Sequence, residues 1–316
     1  MDMPAINEKD QFDLESFAVV NGIDMVAISL VRNAENVEYV RSLLNQDPSG
    51  KGNKIKIISK IENYEGLQNF EEILAISDGV MIMRQALSLE LPPEKVFIAQ
   101  KWMVERANLA AKPVICAQQI FDSMIEEGES PTDCEASDVS TCIFDGADTI
   151  LLNEETSNGE HPVQAINFLS KICAEAERCI DYKATFMEMK RLSPQNMSPS
   201  EGLAAQTVKT SQNLGVDCII VQSATGLLPR FVAKYRPSAP ILVCCEDKQV
   251  IKQLTTSRGI MGFPIPADNS ETLIVQALRH AKDVGIAKSG RKVLYLHGMM
   301  DTQVDEFAMK EIIDVE

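Results

Sequence analysis

The sequence lacks any cysteine pattern that is typical of a metal site or a disulfide framework. Its eight cysteines include no C-x-x-C pair, and Cys244 and Cys245 are adjacent. Most of them stand in apolar stretches such as residues 114–117, as reduced cysteines of a protein core do. Because disulfides are rare in the cytosol, this usage predicts a cytoplasmic protein with free thiols.

Targeting signals and an excess of positive charge are also missing. The first twenty residues are acidic and have no apolar core of the kind found in signal peptides, which predicts that no secretory signal is present. No apolar run approaches the ~20 residues that a membrane-spanning helix needs. The net charge of −16 disfavours nucleic acid and anionic membranes as partners, because both would repel the chain. An anionic substrate would require a local cluster of cations or a bound metal.

Histidine is scarce. The three histidines, His161, His280 and His297, are far apart in the sequence and indicate neither a metal trio nor a catalytic triad. What the sequence does have is ordinary for a globular protein: 316 residues, of which 45% are hydrophobic and 24% charged. This length is sufficient for two domains with a sizeable core.

Five short apolar segments alternate with amphipathic segments in the first part of the chain. The predicted strands are residues 24–31, 54–61, 80–83, 114–117 and 149–152. A repeat of ~25–35 residues from strand to strand indicates parallel βα units. Since a closed barrel needs eight such units, five of them leave two alternatives, an open sheet or an incomplete barrel.

A second α/β region follows a stretch that is rich in proline and serine and has little periodicity. We therefore predict a partial barrel domain at 1–185, a linker at 186–199 and a C-terminal α/β domain at 200–316. Within the last of these, the pattern predicts helices at 201–214, 226–235, 247–256 and 270–287, and strands at 217–222, 240–244, 292–297 and 309–315.

Lys60 and Glu62 stand at the end of the second predicted strand. Side chains alternate along a strand, so these two are expected to project on the same side. A cation beside a potential metal ligand, at the carboxyl edge of a parallel sheet, favours phosphate chemistry. On spacing alone, the alternative is a surface ion pair at a strand end.

Several colinear stretches, which together cover nearly the whole chain, resemble the pyruvate kinase family. They include DMVAISLVRNAENV (24–37), KIKIISKIENYEG (54–66), ISDGVMIMR (76–84), AKPVICA (111–117), DSMIEEGESPTDCEASDV (122–139), DGADTILL (145–152) and KYRPSAPI (234–241). The resemblance implies a TIM-type barrel and a regulatory α/β domain. It also implies the family reaction, which transfers a phosphoryl group from phosphoenolpyruvate to ADP and uses Mg²⁺ and usually K⁺.

By this resemblance the chain corresponds to strands four to eight of the family barrel. The first three strands, the lid domain and the region of the K⁺ site have no counterpart in it. An open sheet of five strands would expose an edge and an apolar face. The resemblance therefore implies either a partial gene product or a partner that covers this surface, in a homo- or hetero-oligomer with pyruvate-kinase-like chains.

The resemblance assigns roles to residues that match the family pattern. Lys60 matches the lysine that stabilises charge on the transferred phosphoryl group, and Glu62 matches one Mg²⁺ carboxylate. Arg84 is retained and is predicted as a second catalytic residue, while Ser29 keeps the family pattern after the first strand.

Other positions depart from the family. Where the family has Arg-Gly-Asp-Leu-Gly, Gln85 and Ala86 follow Arg84, and Ala86 offers no oxygen to a hard cation. Gln118 replaces a threonine near the transferred phosphate, and Glu154 introduces an extra carboxylate. We predict Ser29, Gln85 and Gln118 as substrate contacts. Gln85 could supply a neutral amide oxygen to the metal, but loss of tight Mg²⁺ binding is the expectation.

The effector loop of the family is reduced to Ser223, Thr225 and Gly226 at a predicted helix N-terminus. Fewer hydroxyls remain than in the family pattern, which predicts no regulation by a sugar bisphosphate. The departures together predict a weak or inactive pyruvate kinase. The alternatives are a non-catalytic partner of full-length paralogues and, last, a metal-dependent lyase.

Overall fold

A computed structural model describes residues 6–126, 128–265, 272–298 and 308–315. The chain divides into two compact units, Met1–Ile180 and Asp181–Glu316. The predicted linker of 186–199 falls inside the second unit, where a helix, Tyr182–Leu192, extends through its first half. Asp181 caps this helix by accepting hydrogen bonds from the N–H groups of Lys183 and Ala184. The domain bounds at 185 and 200 remain predictions.

The first unit contains a parallel sheet whose five strands follow one another in chain order. The strands are β1 (Met25–Ile28), β2 (Lys56–Ile61), β3 (Gly79–Met83), β4 (Val114–Ala117) and β5 (Thr149–Leu151). The predicted strands are confirmed, and β1 is shorter than the apolar stretch that predicted it. Parallel neighbours in sequential order place every carboxyl strand end at the same edge, which is the fold class predicted from the sequence.

The helices of this unit connect the strands. They are α1 (Glu8–Asp13), α2 (Val19–Asn21), α3 (Ala34–Asn45), α4 (Tyr64–Gln68), α5 (Phe70–Ile76), α6 (Arg84–Leu87), α7 (Pro93–Leu109), α8 (Ser123–Glu126), α9 (Asp133–Asp145), α10 (Glu154–Ser157) and α11 (Pro162–Arg178). The apolar spacing of residues 8–21 predicts a single helix, and within this range a π-helical turn, Leu14–Ala18, joins α1 to α2. The sequence after His161 and Pro162 predicts a helix that runs to about Tyr182, whereas α11 ends at Arg178.

The central strand β3 is buried on both faces, as its continuous apolar sequence predicts. Val80 and Ile82 belong to the large core that the sheet forms with its helices. Met81 and Met83 face the other way, into a small cluster with Ile58, Ile115 and Ala117. This second cluster is the apolar interior of the incomplete barrel, and the edge residues Met25 and Leu151 pack against it only half-buried.

Asp78 fixes the start of β3 against β2 and α3. Its carboxylate accepts hydrogen bonds from the Ile57 N–H (2.9 Å) and the Arg41 guanidinium (2.5 Å), and Lys56 Nζ is 3.3 Å away. Burial alone would raise the pKa of Asp78, but the N–H of Ile57, the Arg41 hydrogen bond and the charge of Lys56 together lower this pKa below its ordinary value.

This lowered pKa predicts an acid-sensitive contribution to stability. A carboxyl group whose pKa is lower in the folded state stabilises the fold above its ordinary pKa of 3.8 and loses this effect as the pH falls towards the folded value. We expect Asp78→Asn to lower the free energy of unfolding by ~2 kcal/mol at neutral pH. The variant should also show a weaker decrease of this free energy as the pH falls below about 4, the acid limb of the stability curve. Urea unfolding followed by fluorescence of the single tryptophan, Trp102, measures it. An unchanged acid limb would contradict the assignment.

The second unit contains a mixed sheet of order β10-β9-β6-β7-β8. Its strands are β6 (Ile219–Gln222), β7 (Ile241–Cys245), β8 (Ile260–Pro264), β9 (Lys292–Gly298) and β10 (Ala308–Asp314), and its helices are α12 (Tyr182–Leu192), α13 (Pro199–Leu214), α14 (Leu227–Lys234), α15 (Lys248–Leu254) and α16 (Leu273–Asp283). Only β10 is antiparallel to its neighbour.

Strand β8 is the one element of this sheet that the sequence pattern missed. Gly262 and Pro264 are signals of a turn, but both are tolerated here because β8 is an edge strand. A Cβ on Gly262 would lie 2.1 Å from Cγ2 of Ile251, so glycine allows α15 to pack closely on this strand. Among the described residues, no helix is long and apolar enough to cross a membrane.

Candidate functional site

Lys60 and Glu62 form the charged pair that their spacing predicted. Lys60 Nζ lies 3.0 Å from Oε1 of Glu62 and donates a hydrogen bond of 2.7 Å to Ser29 Oγ, from the end of the neighbouring strand. The two side chains are 20% and 10% exposed. The structure thus brings three predicted site residues, Ser29, Lys60 and Glu62, to the carboxyl edge of the sheet.

The second oxygen of Glu62 holds the turn that follows β1. It accepts a hydrogen bond of 2.8 Å from the N–H of Leu30. Leu30 has φ of 54°, a left-handed conformation that is unfavourable for a residue with a branched side chain. Both carboxylate oxygens of Glu62 are therefore engaged within the protein, one by an ammonium group and one by a backbone N–H.

Arg84 directs its guanidinium into the protein. Its Nε and Nη2 donate to the carbonyl oxygen of Gln118 at 3.0 and 2.9 Å, and Nη2 also reaches that of Gln119 at 2.5 Å. Nη1 pairs with Asp138 and lies 3.7 Å from the sulfur of Cys142. Only 6% of the residue is exposed. The catalytic role of Arg84 stays a prediction, and the contacts fit a residue that positions the turn after β4.

The buried positive charge of Arg84 is paired with Asp138, whose side chain is 44% exposed. Burial would lower the pKa of this guanidinium, but Cys142 and Asp138 raise it above its ordinary value. A hydrogen bond from the Cys116 thiol is the main cause of the lowered pKa of Cys142, and burial opposes it. Arg84 is therefore a fixed cation that holds α9 and the end of β4 together.

Gln118 and Gln119 are two consecutive left-handed residues, with φ of 69° and 52°. Such a conformation costs roughly 1–2 kcal/mol per residue, and the Arg84 hydrogen bonds to both carbonyls offset part of this cost. The side-chain Oε1 of Gln118 accepts a hydrogen bond of 3.2 Å from the N–H of Ala86. Like the carboxylate oxygens of Glu62, this carboxamide oxygen thus accepts a hydrogen bond from within the protein.

A cavity of about 580 Å³ lies next to this turn. The described residues that line it are Gln85, Gln118, Gln119, Asp122, Ile125, Leu152, Asn153, Glu154, Glu155, Thr156 and Ser157. Three of these residues are acidic, and none is a lysine or an arginine. The structure brings together Gln85, Gln118 and Glu154, as predicted, but their surroundings would repel an unaccompanied phosphate group.

Sequence reasoning missed Asp122 and the function of Glu155. Burial, followed by the charges of Glu155 and Glu135, raises the pKa of Asp122. Glu155 is 2% exposed and accepts hydrogen bonds from the N–H groups of Phe121 (3.1 Å) and Asn153 (2.7 Å). Glu155 is therefore a structural carboxylate that connects the loops after β4 and β5. No local sequence pattern predicts this role.

The oxygen atoms of the side chains at this edge of the sheet do not fit the Mg²⁺ ion that the family uses. Mg²⁺ requires oxygen ligands in near-octahedral geometry. Here both carboxylate oxygens of Glu62 already accept hydrogen bonds from the protein, and the side chain of Ala86 has no oxygen. Oε1 of Gln118 accepts a hydrogen bond from the N–H of Ala86. Among the described residues, no group of three or more His, Cys, Asp or Glu side chains could hold a metal ion.

The remnant of the effector loop lies in the second unit, between β6 and α14. Ser223 Oγ accepts a hydrogen bond of 2.9 Å from the Gly226 N–H, and Thr225 Oγ1 accepts one of 3.3 Å from the Leu227 N–H. Gly226 has φ of 81°, which explains the glycine at this position. The hydroxyls thus stabilise their own turn. The resemblance also aligns a later family loop, which has a tryptophan, an arginine and glycines, with residues 297–301, and residues 299–301 lie outside the described residues.

The fold defines a partial (β/α) barrel protein with a lysine–carboxylate pair at the carboxyl edge of its sheet, followed in the chain by an α/β unit. The match to known families is specific. Residues 1–166 match the pyruvate kinase barrel domain, and residues 201–312 match the pyruvate kinase alpha/beta domain. The chain belongs to the pyruvate kinase family.

Individual relatives agree with this assignment. The chain is 40% identical to a pyruvate kinase of Eimeria tenella, with 100% of this chain and 59% of the relative covered, and 39% identical to one of Dictyostelium discoideum, with 95% and 59% covered. A crystal structure of a pyruvate kinase from Cryptosporidium parvum superposes with a TM-score of 0.94 at 35% identity and covers 100% of this chain and 63% of that one. The chain thus spans about 60% of the length of these relatives.

Proposed function

We propose that the chain is a pyruvate-kinase-like protein that transfers a phosphoryl group from phosphoenolpyruvate to ADP weakly, or not at all, when it acts alone. The proposal extends the family membership to this chain's own chemistry. Ser29, Lys60 and Glu62 support the family reaction, since they supply a positioned ammonium group at the carboxyl edge of the sheet.

The state of the carboxylates is the observation that carries the proposal. Phosphoryl transfer depends on positive charge that neutralises the transferred group and on accurate positioning. Here the one family carboxylate, Glu62, is bound to Lys60 and to Leu30, and Ala86 stands where the second would be. The affinity of this edge for a metal ion is thereby lowered, and Glu62 partly neutralises the charge that Lys60 could offer to a phosphoryl group. Both effects support a loss of several orders of magnitude in the rate of phosphoryl transfer.

The test is pyruvate formation from phosphoenolpyruvate and ADP by the purified chain, with Mg²⁺ and K⁺ supplied as the family requires. We expect turnover at least about a thousandfold below that of a full-length relative assayed in parallel. Lys60→Ala is the control for contaminating host enzyme. Turnover that approaches the relative's and is abolished in Lys60→Ala would contradict the proposal.

A second candidate is a non-catalytic, cytoplasmic partner of full-length pyruvate kinases. The observation that favours it is the outer edge of β1, which is terminal in its sheet. Beside it lies a groove of about 410 Å³ whose lining includes Leu14, Phe17 and Met25, with Phe17 63% exposed. Co-purification with a full-length paralogue, weakened by Phe17→Asp, would support it. A chain that stays unbound when mixed with the paralogue would contradict it.

A further inference from the structure

We propose that Lys60 binds a compact oxyanion without a divalent cation, and that Glu62 weakens this binding instead of supporting it through a metal. The inference rests on the proposed function, because it concerns the ligand of the same edge of the sheet. It differs from the role that the family assigns to Glu62, and it follows from the contacts of this chain.

Lys60 has a hydrogen-bond donor that its two partners in the protein do not use. An ammonium group has three N–H donors. One is directed at Ser29 Oγ (2.7 Å) and one at Glu62 Oε1 (3.0 Å), which leaves one for a ligand. The side chain is 20% exposed, so the remaining donor is accessible from solvent while the ammonium group is held in place. A fixed, accessible cation at strand ends is suited to a phosphate-sized anion.

Both oxygens of the Glu62 carboxylate contact other groups of the protein. Its carboxylate accepts from Lys60 with one oxygen and from the Leu30 N–H with the other. A metal ion would have to displace one of these two partners, and Ala86 provides no second carboxylate in compensation. Glu62 therefore serves as the counter-ion of Lys60 and as the anchor of the left-handed Leu30. A counter-ion competes with an anionic ligand, whereas a metal ligand would help to bind it.

These two roles predict opposite effects of one substitution. Glu62→Gln keeps an oxygen that can accept the Leu30 N–H but removes the negative charge beside Lys60. We expect the affinity for an oxyanion to rise about fivefold to tenfold, since a neighbouring charge of opposite sign to Lys60 is removed. If Glu62 acted through a divalent cation, the same change would lower the affinity.

The experiment is titration calorimetry of the full chain with sulfate, at low ionic strength, once with Mg²⁺ and once with a chelator. We expect the same dissociation constant within about twofold in both conditions, at least a tenfold loss in Lys60→Met, and the gain in Glu62→Gln. The pair Lys101–Asp145 lies in the same unit and is also a lysine–carboxylate contact. Lys101→Met therefore serves as the matched control and should leave sulfate binding unchanged.

Several outcomes would overturn the inference. They are a wild-type affinity that rises severalfold with Mg²⁺, a loss of binding in Glu62→Gln, equal losses in Lys60→Met and Lys101→Met, and no detectable sulfate binding. Far-UV circular dichroism verifies that each variant is folded. Turnover and binding are separate measurements, so fast pyruvate formation would contradict the proposed function while the comparison with and without Mg²⁺ still decides this inference.

Discussion

Replacing Gln85, Ala86 and Gln118 together by glycine, aspartate and threonine is expected to raise the affinity for Mg²⁺ on the order of a hundredfold. The aspartate adds a carboxylate in α6, directly after β3. The threonine removes the carboxamide that accepts the Ala86 N–H, and the glycine takes a side chain away from the cavity wall. Paramagnetic Mn²⁺ is a suitable probe, because its binding is detected directly by electron paramagnetic resonance.

A control variant carries the same two outer replacements with Ala86→Asn. Asparagine has nearly the size of aspartate but no charge, so we expect most of the gain in affinity to be absent from it. Equal binding of Mn²⁺ by the two variants would mean that a negative charge at position 86 does not contribute to the affinity. In that case Glu62 or the acidic residues of the cavity would have to hold the ion, and the account of the weak site would be wrong.

Lys234→Met is expected to lower the free energy of unfolding of the second unit by about 3–5 kcal/mol. Lys234 is 4% exposed, and its Nζ lies 2.6 Å from Oε1 of Glu201, which also accepts a hydrogen bond of 3.0 Å from the Tyr235 hydroxyl. Removal of the ammonium group leaves a largely buried carboxylate without its cation. Urea unfolding followed by far-UV circular dichroism measures the loss.

Two controls make this prediction specific. Exchanging both partners, Lys234→Met with Glu201→Gln, is expected to restore most of the stability, since a buried ion pair contributes little net stability over a neutral pair. Arg191→Met removes the partner of an exposed carboxylate, Glu188, and is expected to cost less than about 1 kcal/mol. A small effect of Lys234→Met, equal to that of Arg191→Met, would contradict the importance of burial here.

The parallel sheet could be predicted from the sequence because its signal is local and strong. Strands β2 to β4 are short apolar runs separated by helices, and each strand pairs with the next strand along the chain, as successive βα units commonly do. The signal was weakest where tertiary context overrides residue preference. At β8, the turn residues Gly262 and Pro264 occupy an edge strand, and the close packing of Ile251 on Gly262 is invisible in the sequence.

The pairing of Lys60 with Glu62 was likewise predictable, since alternation along one strand suffices to place both side chains together. The contacts of Arg84 were not. They join residues 34 to 58 positions apart in the sequence, namely Gln118, Gln119, Asp138 and Cys142. Such long-range contacts depend on how α9 and the end of β4 pack, and no spacing rule within one element encodes them. The same holds for Glu155, whose partners lie in two different loops.

The turn at Gln118 and Gln119 has a consequence for how this edge of the sheet can evolve. Arg84 holds the turn by hydrogen bonds to the backbone carbonyl oxygens of Gln118 and Gln119, and every amino acid has a backbone carbonyl. The Arg84 hydrogen bonds are thus independent of the side chains at these two positions, which line the cavity, although the left-handed backbone still disfavours β-branched residues there. Substitutions there can change the chemistry of the wall while the scaffold persists, so this turn is a place where a family can lose one ligand preference and acquire another in single steps.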